Sequence, residues 1–191
     1  MKCKGCKQPF VKLRPMQIAC SPDCAYIIGK RAGDRARARE ARKQAQELRK
    51  RKEAIKSRKE WMKEALAAFC AWVRKRDEGL ACISCRRHHE GQLHGGHYRN
   101  TFHYAALAFE PDNCHSQCAQ CNAPPPMGMG GNLINYRIGL IARVGEDRIR
   151  ELEGQQPPKK YTIDELKAIR DDYRSRLKVC PGAGVSGAGR G

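Results

Sequence analysis

The chain has no apolar run near the roughly 18 residues that a membrane-spanning helix requires. Its first residues, Met1-Lys2-Cys3-Lys4-Gly5-Cys6, lack the apolar stretch of a secretory leader. The expectation is a cytoplasmic protein with no membrane partner. Aromatic residues are scarce, at 6% of 191, so a large aromatic core is excluded and a small core needs help from another source, such as metal. Acidic residues are also few: 20 Asp+Glu stand against 38 Lys+Arg, for a formal charge of +18. A surplus of that size calls for a polyanionic partner, of which nucleic acid is the commonest. Cysteine, by contrast, is plentiful, with 11 residues. In a reducing compartment these read as metal ligands rather than disulfides.

Eight of them fall into two sets of four. Cys3-x2-Cys6 and Cys20-x3-Cys24 form the first, inside a segment too short to hold itself together by apolar burial. Cys82-x2-Cys85 and Cys118-x2-Cys121 form the second. Paired CxxC knuckles are the spacing of a closed tetrahedral Zn2+ site, so two structural zinc ions are expected. Cys114 could compete for the second site. Cys70, between Phe69 and Trp72 on a helical stretch, reads as a core residue.

Residues 26–79 read as one long basic helix, rich in Ala, Arg, Lys, Glu and Gln and free of proline. Between Ala25 and Glu64 there are 15 Lys+Arg and 6 Asp+Glu. Apolar positions are sparse up to Lys59 and thicken from Trp61, so only the second part has a face to bury. The solvated part offers Arg35, Arg39, Arg42, Lys43, Arg49, Lys50, Arg51 and Lys52 as phosphate contacts. Gly79 is placed to end the helix. Short strands are expected near Gln92–Tyr98 and Ala106–Phe109. Asn132 is placed to cap a helix running to Val144, a short helix follows over Gly145–Glu153, and Thr162 with Glu165 opens a last helix as a capping box.

The segment between the central knuckles carries the chemistry. Phosphodiester cleavage needs a base for the attacking water and a divalent metal to polarise the phosphate. His97, in Gly95-Gly96-His97-Tyr98, is a candidate base near neutral pH. Asn113 stands five residues before Cys118, and Asn122 directly follows Cys121. An Asn carbonyl is a hard ligand suited to Mg2+ or Mn2+. Arg99, two residues after His97, is a further DNA contact.

This pattern resembles the HNH, or His-Me finger, nucleases with a zinc-knuckle ββα-metal fold, over about Cys82 to Tyr136. The resemblance implies His97 as general base, Asn113 as the residue that orients it, and Asn122 as a metal ligand. Over its length, the chain is similar to the NinG/Rap family of lambdoid phages. The carriers are the N-terminal cysteine cluster, the basic helix, Gly-His-Tyr, Asn-Cys-His-x2-Cys-x2-Cys-Asn, Gly-Asn-Leu-x2-Tyr and Gly-Glu-Asp-Arg-Ile. That resemblance implies a structure-selective endonuclease of the host-cell cytoplasm, cutting branched double-stranded DNA such as Holliday junctions and D-loops. Two opposed nicks need two sites, so a homodimer and phage recombination proteins join the expected partners.

Many HNH sites carry Asp immediately before the first histidine, where this chain has Gly96. His94 ranks first as the replacement ligand, with Asp112 and His115 behind it. On a regular strand His94 faces away from His97, so a bulge at Gly95-Gly96 would be needed to bring them together. The competing reading is a zinc ribbon that binds DNA without cutting it.

The expected class is α+β: a small zinc-stabilised ββα-metal, HNH-like core with a long basic helix, an N-terminal zinc module and C-terminal helices. The expected divisions are a zinc module over 1–25, a basic arm over 26–79, a nuclease domain over 80–154, a C-terminal helix over 155–180 and a disordered tail over 181–191.

Overall fold

A computed structural model describes residues 1–91 and 93–180. The expected tail and Gln92 lie outside the described residues. The chain divides into two compact units, Met1–Lys56 and the remainder from Ser57.

In the first unit, residues 1–20 fold back on themselves through Cys3 N–H to the Gln8 carbonyl (2.9 Å) and Lys4 N–H to the Ile18 carbonyl (2.9 Å). Ser21 then caps α1, Pro22–Ala54, accepting from Cys24 N–H, with Pro22 in the first turn and Asp23 beside the helix N-terminus. Cys24 is the one buried residue of this helix. At 33 residues, α1 runs for about 50 Å.

The single helix expected over 26–79 is two. Ser57 breaks it, taking an extended backbone and forming a reciprocal capping box with Glu60 that starts α2, Arg58–Arg76. The Ser57 N–H reaches Glu60 Oε2 at 2.8 Å and the Glu60 N–H reaches Ser57 Oγ at 3.3 Å. Both partners lie within one turn, so this local option wins over helix continuation. Gly79, at φ +84°, lies just beyond the Asp77 cap.

The second unit is helix-rich with one small sheet. Its α2 buries Trp61, Ala65, Ala68, Phe69 and Val73, one stripe at helical spacing. That stripe meets the last helix: Trp61 and Ala65 pack with Leu166 and Ile169, and Phe69 and Val73 with Tyr173. The sheet is an antiparallel pair, β1 (His94–His97) and β2 (Cys114–Gln117), with His94 opposite Gln117 and His97 opposite Cys114. The register runs without interruption, so the expected bulge at Gly95-Gly96 is absent.

The strand expected over 106–109 is instead a 3-10 turn, Ala105–Leu107, and β2 was not foreseen. All four β2 residues are buried. A strand covered on both faces shows no polar–apolar alternation from which to read it.

A one-turn helix α3 (Ala119–Asn122) follows the second knuckle, then α4 (Leu133–Val144), α5 (Glu146–Glu153) and α6 (Ile163–Val179). Thr162 and Glu165 form the expected capping box. Asn132 stands at the α4 start, but in the left-handed region and without a side-chain cap bond. A core of Ile83, Leu107, Tyr136, Leu140, Ile149 and Leu152 joins α4 and α5 to the first knuckle. The class is therefore α+β. Among the described residues no helix is long and apolar enough to cross a membrane.

Candidate metal centres and a histidine cleft

Both predicted cysteine sets assemble. The four sulfurs of Cys3, Cys6, Cys20 and Cys24 lie within 4.8 Å of one another, as do those of Cys82, Cys85, Cys118 and Cys121. Backbone N–H groups point at the sulfurs: Gly5 and Cys20 donate to Cys3 Sγ (3.3 and 3.4 Å), and Cys118 donates to Cys82 Sγ (3.3 Å). The Cys6 and neighbouring N–H groups hold the Cys3 thiol down at about 6. Cys20, sharing hydrogens with Cys24, Cys3 and Cys6, is pushed up to about 12. Four crowded sulfurs resist full ionisation unless a cation sits among them, and each set could hold one Zn2+. His89 Nε2 lies 3.1 Å from Cys85 Sγ, which its sequence context did not reveal.

Beside the second centre lies a cleft of about 480 Å³. His97, Arg99, Tyr104, Asn122 and Gly131 are among its lining residues. The His97 ring is half-buried and packs 5.7 Å from Phe69, centroid to centroid. Its Nε2 lies 3.0 Å from the Ala108 carbonyl oxygen. A carbonyl only accepts, so Nε2 carries the proton and Nδ1 keeps the free lone pair. Burial lowers the His97 pKa, against a smaller opposing pull from the Ala108 carbonyl. The ring is thus neutral at pH 7.

The Asn113 side chain makes its hydrogen bonds away from the His97 ring, contrary to the expectation that it orients the imidazole. Its amide instead matches a peptide unit: Oδ1 accepts from Arg99 N–H (2.8 Å) and Nδ2 donates to the Arg99 and Leu107 carbonyls (3.1 and 3.0 Å). Orientation of His97 falls to Ala108, and Asn113 fixes Arg99. The Arg99 guanidinium lies over the Tyr104 ring at 3.9 Å, with its buried Nε free of hydrogen-bond partners.

Of the candidates for the missing ligand, His94 is the one that meets Asn122, with Nδ1 at 3.2 Å from Asn122 Nδ2. Asp112 is held by Arg148 (2.8 Å). His115 is buried, its Nδ1 2.9 Å from Arg76 and 3.2 Å from Arg143. The fully buried Tyr136 ties α4 to both strands, donating to the Gly96 carbonyl (2.7 Å) and accepting from His115 N–H (2.9 Å). That gives the Tyr of the Gly-Asn-Leu-x2-Tyr pattern a structural role.

Sequence reasoning missed two features here. Cys70 and Cys114 join His97 in a third group of metal-capable atoms within 4.8 Å of one another. Burial raises the Cys114 thiol well above its usual range, so it stays neutral. Gln117, fully buried, donates to Ser84 Oγ (2.7 Å) and to the Gly131 carbonyl (2.5 Å) and turns its oxygen toward Gly96. The one signal for it in the sequence was Gly96, which leaves the space that the Gln117 oxygen reaches. The amide oxygens of Gln117 and Asn122, both near Gly96, are hard donors.

All eight predicted arm residues, Arg35, Arg39, Arg42, Lys43, Arg49, Lys50, Arg51 and Lys52, are exposed on α1. Local pairs such as Lys50–Glu47 (3.3 Å) and Arg49–Glu53 (3.6 Å) offset only part of their charge.

A family model described as Bacteriophage Lambda NinG protein matches residues 1–181. Protein ninG of Escherichia phage lambda is 37% identical over 190 residues, covering 93% of this chain and 91% of the relative. Protein ninG of Salmonella phage P22 is likewise 37% identical over 190 residues, covering 93% and 92%. Protein ninG of Escherichia phage 933W is 36% identical over 188 residues, with the same coverage as the P22 protein. No solved structure matches the chain.

Proposed function

The chain belongs to the NinG family of phage proteins, and from that premise we propose that it is a metal-dependent endonuclease acting on branched DNA. The observation that carries this reading is the shared cleft. His97, Arg99 and Asn122 come from a strand, the residue pair after it and the end of a one-turn helix, and they line one opening.

Each residue has a separable task. His97 Nδ1 accepts the proton of the attacking water, because Nε2–H is committed to Ala108. Its lowered pKa keeps that lone pair free at neutral pH. Arg99 offers a guanidinium to a phosphate oxygen, held in place by Asn113 and Tyr104. Asn122 would hold Mg2+ or Mn2+ through its amide oxygen. That cation supplies Lewis-acid polarisation of the phosphate and stabilisation of the leaving oxygen. The exposed cations of α1 add sequence-independent phosphate affinity. Branched substrates, and association with a second copy or with recombination proteins, are part of the same reading through the NinG/Rap resemblance.

The test is Mg2+-dependent cleavage of a synthetic four-way junction. Wild type should cut, and His97→Ala should bind the junction and keep its zinc but fail to cut. Cutting by His97→Ala at the wild-type rate would defeat the assignment. One observation favours a second reading, a zinc-containing protein that binds junctions without cutting them: position 96 has no carboxylate. On that reading wild type protects junctions and never nicks them, with either metal.

A further inference from the structure

Gly96 sits on the face of β1 that looks toward Gln117 and Asn122. A Cβ placed at position 96 would lie 2.2 Å from Gln117 Oε1 and 3.1 Å from Asn122 Oδ1. A side chain fits there only if the Gln117 amide moves away. The space an acidic residue would occupy is already filled by an amide that arrives from the facing strand. Gln117 is anchored by its nitrogen, which donates to Ser84 Oγ and the Gly131 carbonyl. The Gly131 carbonyl has no hydrogen to give, so the amide nitrogen must face it and the oxygen is turned toward Gly96. Asn122 is likewise fixed: its Nδ2 faces His94 Nδ1 at 3.2 Å, which turns Oδ1 toward the same spot.

Two carbonyl oxygens therefore converge on one point. Among the described residues neither accepts a hydrogen bond. Convergent acceptors without a donor repel each other, and a cation between them removes that repulsion. Resting on the endonuclease reading above, we infer that Gln117 supplies the oxygen ligand that Gly96 cannot. In this arrangement Gln117 Oε1 and Asn122 Oδ1 form the protein's part of the catalytic cation site, and His94 is a positioning residue that aims Asn122. Gly96 and Gln117 are one device: the glycine makes room, and the glutamine fills it with an oxygen.

The experiment uses Mn2+ as the probe, with the zinc-loaded full chain and a four-way junction present, and His97→Ala in every sample so that the DNA stays intact. Free Mn2+ is followed by electron paramagnetic resonance. Gln117→Met, close in shape but without the oxygen, should weaken Mn2+ binding at least tenfold. Gln117→Glu, which adds a charge to the same oxygen, should tighten it about as much. Ser84→Ala should shift it less than Gln117→Met does. Zinc content and thermal unfolding report whether each variant is folded.

A swap covers the case in which Gln117→Met fails to fold. Gly96→Asp alone should displace the Gln117 amide from Ser84 and Gly131 and lower thermal stability. Gly96→Asp with Gln117→Ala should recover both thermal stability and Mn2+ binding. Mn2+ affinities within twofold of the parent for Gln117→Met and Gln117→Glu would overturn the inference while leaving the nuclease reading intact, provided wild-type His97 chain cuts. Recovered stability without recovered Mn2+ binding in the double variant would overturn it too. If the parent binds no Mn2+ and the His97 chain cuts nothing, both readings fall together.

Discussion

The carboxylate of Asp77, 3% exposed at the end of α2, is the most concentrated point of electrostatic support beneath the cleft. It accepts from Arg76 Nε (2.7 Å) and Nη2 (3.1 Å), Arg143 Nη1 (3.3 Å) and the Ser116 backbone N–H (2.8 Å), so it joins α2, α4 and β2. Asp77→Ala leaves the buried Ser116 N–H without an acceptor, at about 1–3 kcal/mol. It also removes the shared anion of two guanidinium groups. Their side chains are 24% and 23% exposed, so water recovers part of that loss. The sum falls near the roughly 3–5 kcal/mol seen when one partner of a buried pair is deleted. For a unit of this size that is a drop of roughly 10–15 °C in Tm. Asp77→Asn keeps a carbonyl for Ser116 and should lose about half as much. The pH dependence has a definite sign. Burial opposes the charge, but His115, Arg76 and the Ser116 N–H together hold the Asp77 pKa far below its usual value. A lowered folded-state pKa contributes stability above the unfolded value of about 3.9, and the contribution drains away as pH falls below it. The Asp77 part of the wild-type advantage over Asp77→Ala should thus shrink beneath about pH 4, while His115, whose pKa Asp77 raises against the lowering by burial, adds to the advantage as pH falls through the ordinary histidine range. Thermal unfolding of the zinc-loaded pair across both ranges checks this. A loss under about 1 kcal/mol for Asp77→Ala, or an advantage that does not shrink beneath about pH 4, would refute the reasoning.

Elemental analysis should give a zinc-to-chain ratio near ~2, falling to about one in Cys3→Ser, because each thiolate set holds one ion. The acid limb of junction cutting should lie below the ordinary histidine value of about 6.5, since burial lowers the His97 pKa. Loss of rate already at neutral pH would point to another base. Arg39, Arg42 and Lys43, all changed to Gln, should flatten the slope of log affinity against log salt by up to about 3, at roughly 0.9 per phosphate contact. An unchanged slope means that α1 does not touch DNA. His94→Ala should raise the Mn2+ concentration needed for cutting more than His115→Ala does, read as the half-maximal metal concentration.

How far the sequence disclosed all this depends on the kind of signal. The cysteine sets were legible because tetrahedral thiolate coordination imposes short, fixed spacings, and both sets close in space. The capping box at Thr162 and Glu165 was legible because its partners are three residues apart. The same motif at Ser57 and Glu60 went unread inside a run of strong helix formers, so α1 and α2 merged into one. The partner of β1 was hidden because Cys114-His115-Ser116-Gln117 is buried on both faces. His97 and Asn122 were found by motif and do share a cleft. The bond assigned to Asn113 was wrong because a side-chain amide pairs as well with a peptide unit as with an imidazole, and only the fold decides which it meets.

The last helix also bears on timing during synthesis. Phe69, which packs against the His97 ring, is closed from the other side by Tyr173 at 4.9 Å. Trp61 waits for Leu166 in the same way. The two walls of this core are about a hundred residues apart in the chain, so the floor beneath His97 is built from α2 and from a helix, α6, that leaves the ribosome well after β1. Both zinc knuckles can close earlier, because all eight cysteines precede residue 122. A nascent chain can therefore bring its two cysteine sets together before α6 has emerged, whereas the seat of the His97 ring is completed only with α6.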